Sequence, residues 1–150
     1  MRNRINAALK EAMLAKDQVR IATLRLILAA IKDKEIDARG PEGEGELSDQ
    51  DVLALLSTMV KQRKESARTY EEAGRLELAQ RENDEIAIIK EFLPKPLSKA
   101  EVQKAIDAAI RDTGASSIRD MGKVMAALKA SHAGRMDFGA VGPEVKAALG

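Results

Sequence analysis

Pro94 and Pro96, in the run Leu93-Pro94-Lys95-Pro96-Leu97, constrain this chain more than any other feature. Neither ring nitrogen can donate to a helix or a strand ladder, and each proline pushes the residue before it into extended backbone. Apolar side chains recur at helical spacing on both sides of the run, so the 150-residue chain must break there. The expectation is an all-α protein in two parts. An N-terminal four-helix unit occupies residues 1–93, and a proline-containing linker joins it to a small C-terminal domain of three or four helices over 97–150.

The helices are read from spacing. Ile5, Leu9 and Met13, with Ala8 and Ala12 beside them, make one apolar stripe. Ile21, Leu24, Ile27, Leu28 and Ile31 make a second, ending near Gly40-Pro41. Val52, Leu55, Leu56, Met59 and Val60 open a third that runs to Tyr70 and stops at Gly74. Leu78, Ala79, Ile86 and Ile89 carry a fourth from near Arg75. Beyond the prolines, Val102, Ala105, Ile106, Ala109 and Ile110 mark one helix, and Met121, Val124, Met125 and Leu128 another. Val145 and Leu149 anchor a last one, with Pro143 at its first turn. Ser48 with Asp51, Ser98 with Glu101, and Ser117 with Asp120 each set a hydroxyl three residues before an acid, the pattern of a capping box. The acidic, glycine-rich stretch 40–47 is expected to be a loop. Aromatic residues are only 2% of the chain, so the core must be aliphatic, which suits helices better than strands.

Composition removes several chemistries. There is no cysteine, hence no disulfide, thiolate metal site or cysteine nucleophile. His132 is the one histidine, too few for a multi-histidine metal cage. No phosphate-binding loop, dinucleotide fingerprint or HExxH pair is present. Neither catalytic residues, metal ligands nor a small-molecule cofactor are therefore expected. No charge-free run approaches the roughly 20 residues of a membrane span, and no export signal is visible. Those readings give no membrane and a cytoplasmic location as the expectation.

Two charges fall on apolar faces. Arg63 lies on the Leu56–Met59–Ala67–Tyr70 face, and Glu82 on the Leu78–Ile86–Ile89 face. A lone buried charge is strongly unfavourable, so each needs a partner. Either Arg63 and Glu82 pair with each other, or Arg75 joins, tying the third and fourth helices together; the alternative is that Arg63 is exposed in a groove that accepts a ligand phosphate or carboxylate. Lys61-Gln62-Arg63-Lys64 is followed at once by Glu65 and reads as a solvated helix face.

The order of motifs resembles the YqeY proteins. Leu24-Arg25-Leu26, Lys61-Gln62-Arg63 with Glu65-Ser66, and Gly74-Arg75 leading to Leu78-Ala79 carry the likeness. Glu82, Glu85-Ile86, Phe92-Leu93-Pro94 and Asp120-Met121-Gly122-Lys123-Val124-Met125 complete it, so it covers essentially the whole chain. Two positions depart from the pattern: Gly142 stands before Pro143 in place of a serine-like cap, and Phe138 follows Asp137 where glycine is common. Residues 97–150 are similar to the tail domain of the B subunit of the glutamyl/aspartyl-tRNA amidotransferase (the GatB/YqeY domain). In that enzyme the tail grips tRNA, while ammonia production and amide transfer reside elsewhere. The resemblance implies a carbon–nitrogen ligase with glutamine as amide donor, yet the 150 residues hold neither an amidase nor an ATP-using module.

The leading expectation is a non-catalytic helical protein that binds tRNA or associates with tRNA-charging or amidation enzymes. Net charge is only +1, so the contact must be a local patch. Residues 93–150 hold nine Lys/Arg against six Asp/Glu, and Arg119, Lys123, Lys129 and Arg135 are the candidates for a phosphate backbone. An accessory role in glutamine-dependent tRNA amidation is the first alternative. The second is a protein-interaction module built on the first four helices, which exposed apolar surface on an N-terminal helix would favour.

Overall fold

A computed structural model describes residues 1–38 and 45–150. Among them every regular element is helical: α1 (Arg2–Ala15), α2 (Gln18–Ala38), α3 (Asp49–Glu72), α4 (Leu76–Lys90), α5 (Lys99–Thr113), a 3₁₀ turn (Ile118–Asp120), α6 (Met121–His132) and α7 (Phe138–Leu149). The all-α reading is correct. The expected loop over 40–47 lies mostly outside the described residues. By contacts the chain divides into two compact units, Met1–Leu93 and Pro94–Gly150.

In the first unit, Ile5, Leu24, Ile27, Ile31, Leu56 and Ile89 are almost wholly buried. Ser48 starts α3 as a capping box, its hydroxyl accepting from the Asp51 amide while the Asp51 carboxylate accepts from the Ser48 amide. α1 ends on Lys16, whose φ of 57° is left-handed. The Lys16 amide donates to the Met13 carbonyl and the Asp17 amide to that of Ala12, which satisfies two carbonyls at the helix end. Phe92 is 3% exposed and closes the unit under the Arg4 guanidinium, 5.2 Å from its ring centre. Arg4 also donates to the Glu91 carbonyl, and Arg20 pairs with the Glu91 carboxylate.

Two expected core positions are wrong by a fraction of a turn. Met13 is half exposed, and α1 buries Ala12 in its place. Leu78 is 37% exposed, whereas its neighbour Ala79 is buried. In both cases the alanine takes the inward position and the longer side chain beside it lies outward.

The second unit packs Ile106, Ala109, Val124, Leu128, Val141 and Val145. Ser98 and Glu101 form the box at the start of α5, and Gly114, with φ 68°, ends that helix. The Ser117–Asp120 box is present but opens the 3₁₀ turn that runs into α6, not α6 itself. Pro143 was expected to open the last helix and instead lies inside it. Asp137 caps α7 six residues earlier, accepting from the Gly139 amide at 3.0 Å. No cap is needed at Gly142, which is buried in mid-helix.

Candidate functional site

α6 carries Lys123, Lys129 and His132 and no carboxylate of its own. Its inward face is fixed by Val124 and Leu128, both essentially buried. Helical phase then turns Lys123 and Lys129 outward, and both are exposed. Six residues separate them, about 9 Å along the axis and about 120° around it. Arg119, on the 3₁₀ turn just before α6, is exposed as well.

The four expected phosphate-binding residues do not share one role. Asp120 accepts from the Ser116 and Ser117 amides, and its carboxylate stands 4.0 Å from Lys123. Those contacts, the Ser116 amide foremost, hold the Asp120 carboxyl below the usual aspartate range. Arg135 is partly buried, and its Nε donates to the Lys95 carbonyl at 3.0 Å. Its own carbonyl accepts from the Leu97 amide at 2.9 Å. Arg135 thus ties the proline segment to the turn after α6, leaving Arg119, Lys123 and Lys129 as the outward cations. Sequence reasoning missed the tether because its acceptor is a backbone carbonyl, invisible to any search for charge partners.

The expected Arg63–Glu82 pair is not formed. Arg63 Nε donates to Glu85 Oε2 at 2.9 Å, and a second nitrogen reaches the Met59 carbonyl at 3.3 Å. The Arg63 and Glu85 side chains are 16% and 11% exposed. Arg81 approaches the other Glu85 oxygen at 3.8 Å. Glu82 is half-buried one turn away. Arg75 is exposed and does not join the pair. It lines a shallow surface depression of about 420 Å³ with Gly74, Leu76, Glu77 and Leu78.

Among the described residues, no group of three or more His, Cys, Asp or Glu side chains gathers to hold a metal. His132 Nδ1 is buried without a hydrogen-bond partner among them. Among the described residues no helix is long and apolar enough to cross a membrane.

Over residues 2–149 the chain matches the family described as Yqey-like protein. It belongs to the YqeY-like family. Among curated relatives it is similar to the protein named "Altered inheritance of mitochondria protein 41, mitochondrial". Identity to the Lachancea thermotolerans protein is 42%, over 57% of this chain and 43% of the relative. To the Clavispora lusitaniae protein it is 44%, over 57% and 46%. A Saccharomyces cerevisiae protein is 30% identical over 74% of this chain and 61% of its own length. The chain therefore spans about half the length of these relatives. The mitochondrial name of these relatives overturns the cytoplasmic expectation for this YqeY-like chain. That expectation rested on the lack of an apolar segment, which bears on crossing a bilayer and not on which compartment holds a folded domain.

Proposed function

We propose that this YqeY-like protein is a non-catalytic helical protein that engages tRNA through Arg119, Lys123 and Lys129. One observation carries the reading: α6 exposes two lysines with no carboxylate in the helix, and Arg119 stands just before it. The resemblance read in the sequence of residues 97–150, to the tRNA-gripping tail of the amidotransferase, suggests the same ligand. Cations fixed on a packed helix can contact phosphates without reading base sequence.

Magnitude shapes the reading. Three phosphate contacts give a salt dependence of about −2 to −3 in log K against log salt, and non-specific binding of this kind has dissociation constants of about 10⁻⁴–10⁻⁶ M. Such contacts hold an RNA weakly, which favours action beside a tRNA-charging or amidation enzyme over stand-alone capture. Filter binding of bulk tRNA to the full chain, across a salt series, tests the proposal. Binding with that slope supports it. Binding no tighter than that of an unrelated near-neutral protein rejects it. The accessory form predicts faster glutamine-dependent amidation of Glu-tRNA when the chain is added to the amidotransferase, and an unchanged rate at every ratio removes it.

A further inference from the structure

The two lysines of α6 border one face of the helix. By helical phase Ala126 and Ala130 lie about 40° and 80° on from Gly122, Lys129 about 20° before it and Lys123 about 100° beyond it. Each of these residues is exposed. Val124 and Leu128, both buried, lie about 200° and 240° on from Gly122, so the middle of the lysine-bordered face points directly away from the second unit's core. Lys123 and Lys129 are about 9 Å apart along the axis and about 120° around it, which on a helix about 12 Å across sets them about 14 Å apart. Asp120 stands 4.0 Å from Lys123, and its other oxygen is taken by the Ser116 and Ser117 amides.

Between the lysines nothing is larger than a methyl group. Gly122 is not needed there by the fold: its backbone is not left-handed, as those of Gly74, Gly114 and Gly134 are, and a Cβ would meet nothing within 4 Å. Glycine is also a poorer helix residue than alanine. The geometry distinguishes two kinds of RNA. Single strands are held by stacking their bases on aromatic side chains. The one aromatic residue of the second unit, Phe138, is partly buried against its core. Base-paired RNA is held by phosphate and 2′-hydroxyl contacts across a minor groove that is wide and shallow. A face that is flat in the middle and basic at both borders fits that groove. Charges along one strand of a duplex follow one another about every 3.4 Å, so cations about 14 Å apart suit the two sides of a groove better than neighbours on one strand.

We infer, resting on the tRNA reading, that the part of the RNA taken by α6 is a base-paired stem. Lys123 and Lys129 meet phosphates of its two strands, and Gly122, Ala126 and Ala130 lie over the minor groove between them. Arg119, just before the helix, adds a contact to the backbone beyond. The ligand class narrows from RNA in general to duplex RNA, recognised by shape and not by sequence.

Competition against labelled bulk tRNA on the full chain tests this. The competitors are an RNA duplex of about 16 base pairs, the DNA duplex of the same sequence, and a single-stranded oligouridylate with as many phosphates. The RNA duplex should displace the tRNA. The DNA duplex, equal in charge but with a narrow minor groove, should need about tenfold more, and so should the oligouridylate. Gly122→Leu and Ala126→Leu fill the face without changing a charge. Each should keep the parent's helical circular dichroism and lose the preference for the RNA duplex. Bound tRNA that all three competitors displace equally well overturns the inference and leaves the tRNA reading standing. Leucine variants that keep the parent's preference overturn it as well. Bulk tRNA that does not bind at all removes the tRNA reading, and the stem with it.

Discussion

Arg63 and Glu85 hold most of the electrostatic risk in the first unit. Each is largely removed from water, so deleting one leaves the other without compensation. Fully buried pairs lose about 3–5 kcal/mol when broken, and the residual exposure here lowers the expectation to about 2–3 kcal/mol for Glu85→Gln. The double change Arg63→Met/Glu85→Leu should recover most of that loss. Glu82→Gln, at a half-buried position outside the pair, should stay within about 0.5 kcal/mol. Urea melts of these three variants and of the single Arg63→Met change check this. If Arg63→Met melts with the parent, the pair is not structural and Arg63 is free for a ligand. The need for a carboxylate opposite Arg63 was legible in the sequence, but its identity was not. Glu82 and Glu85 lie one turn apart beside Ile86 and Ile89, and only the reach between packed helices chooses between them.

At the scale of elements, the helix starts were the most legible part of the fold. All three serine–acid boxes form, because that signal is local and its hydrogen bonds close within four residues. Ser48→Ala should accordingly cost about 1 kcal/mol in a thermal or urea melt. The Glu101 carboxyl is held below the usual glutamate range, first by the Ser98 amide and then by the Ser98 hydroxyl. A carboxyl depressed on folding adds stability above its unfolded pKa and loses it as pH falls through the folded value. The second unit should therefore keep its melting temperature from neutrality down to about pH 4 and lose it below. Glu101→Gln should flatten that decline, and an unchanged acid slope would contradict the cap's role. Pro143 shows where local signals fail. Asp137 offers a cap six residues upstream, and packing of Val141 and Val145 carries the helix through the proline.

For the molecule as a whole, the all-α class was readable because capping, spacing and composition agree along the chain. Function was less so. The residues that would carry it are surface cations, and a lysine facing phosphate has the same sequence signature as a lysine facing water. Arg135 illustrates the gap: grouped by charge with Arg119, Lys123 and Lys129, it is committed to the Lys95 carbonyl. The activity proposed for the molecule is engagement of tRNA by the outward cations at α6. Its most direct test compares the salt dependence of tRNA binding for the parent, for Arg119→Ala/Lys123→Ala/Lys129→Ala, and for the equally charge-reduced Lys61→Ala/Lys64→Ala/Arg68→Ala on α3. The first variant should lower affinity and flatten the log K–log salt slope by about 2 to 3, while the α3 variant keeps the parent's slope. Equal loss in the two variants, or no loss in either, would contradict it.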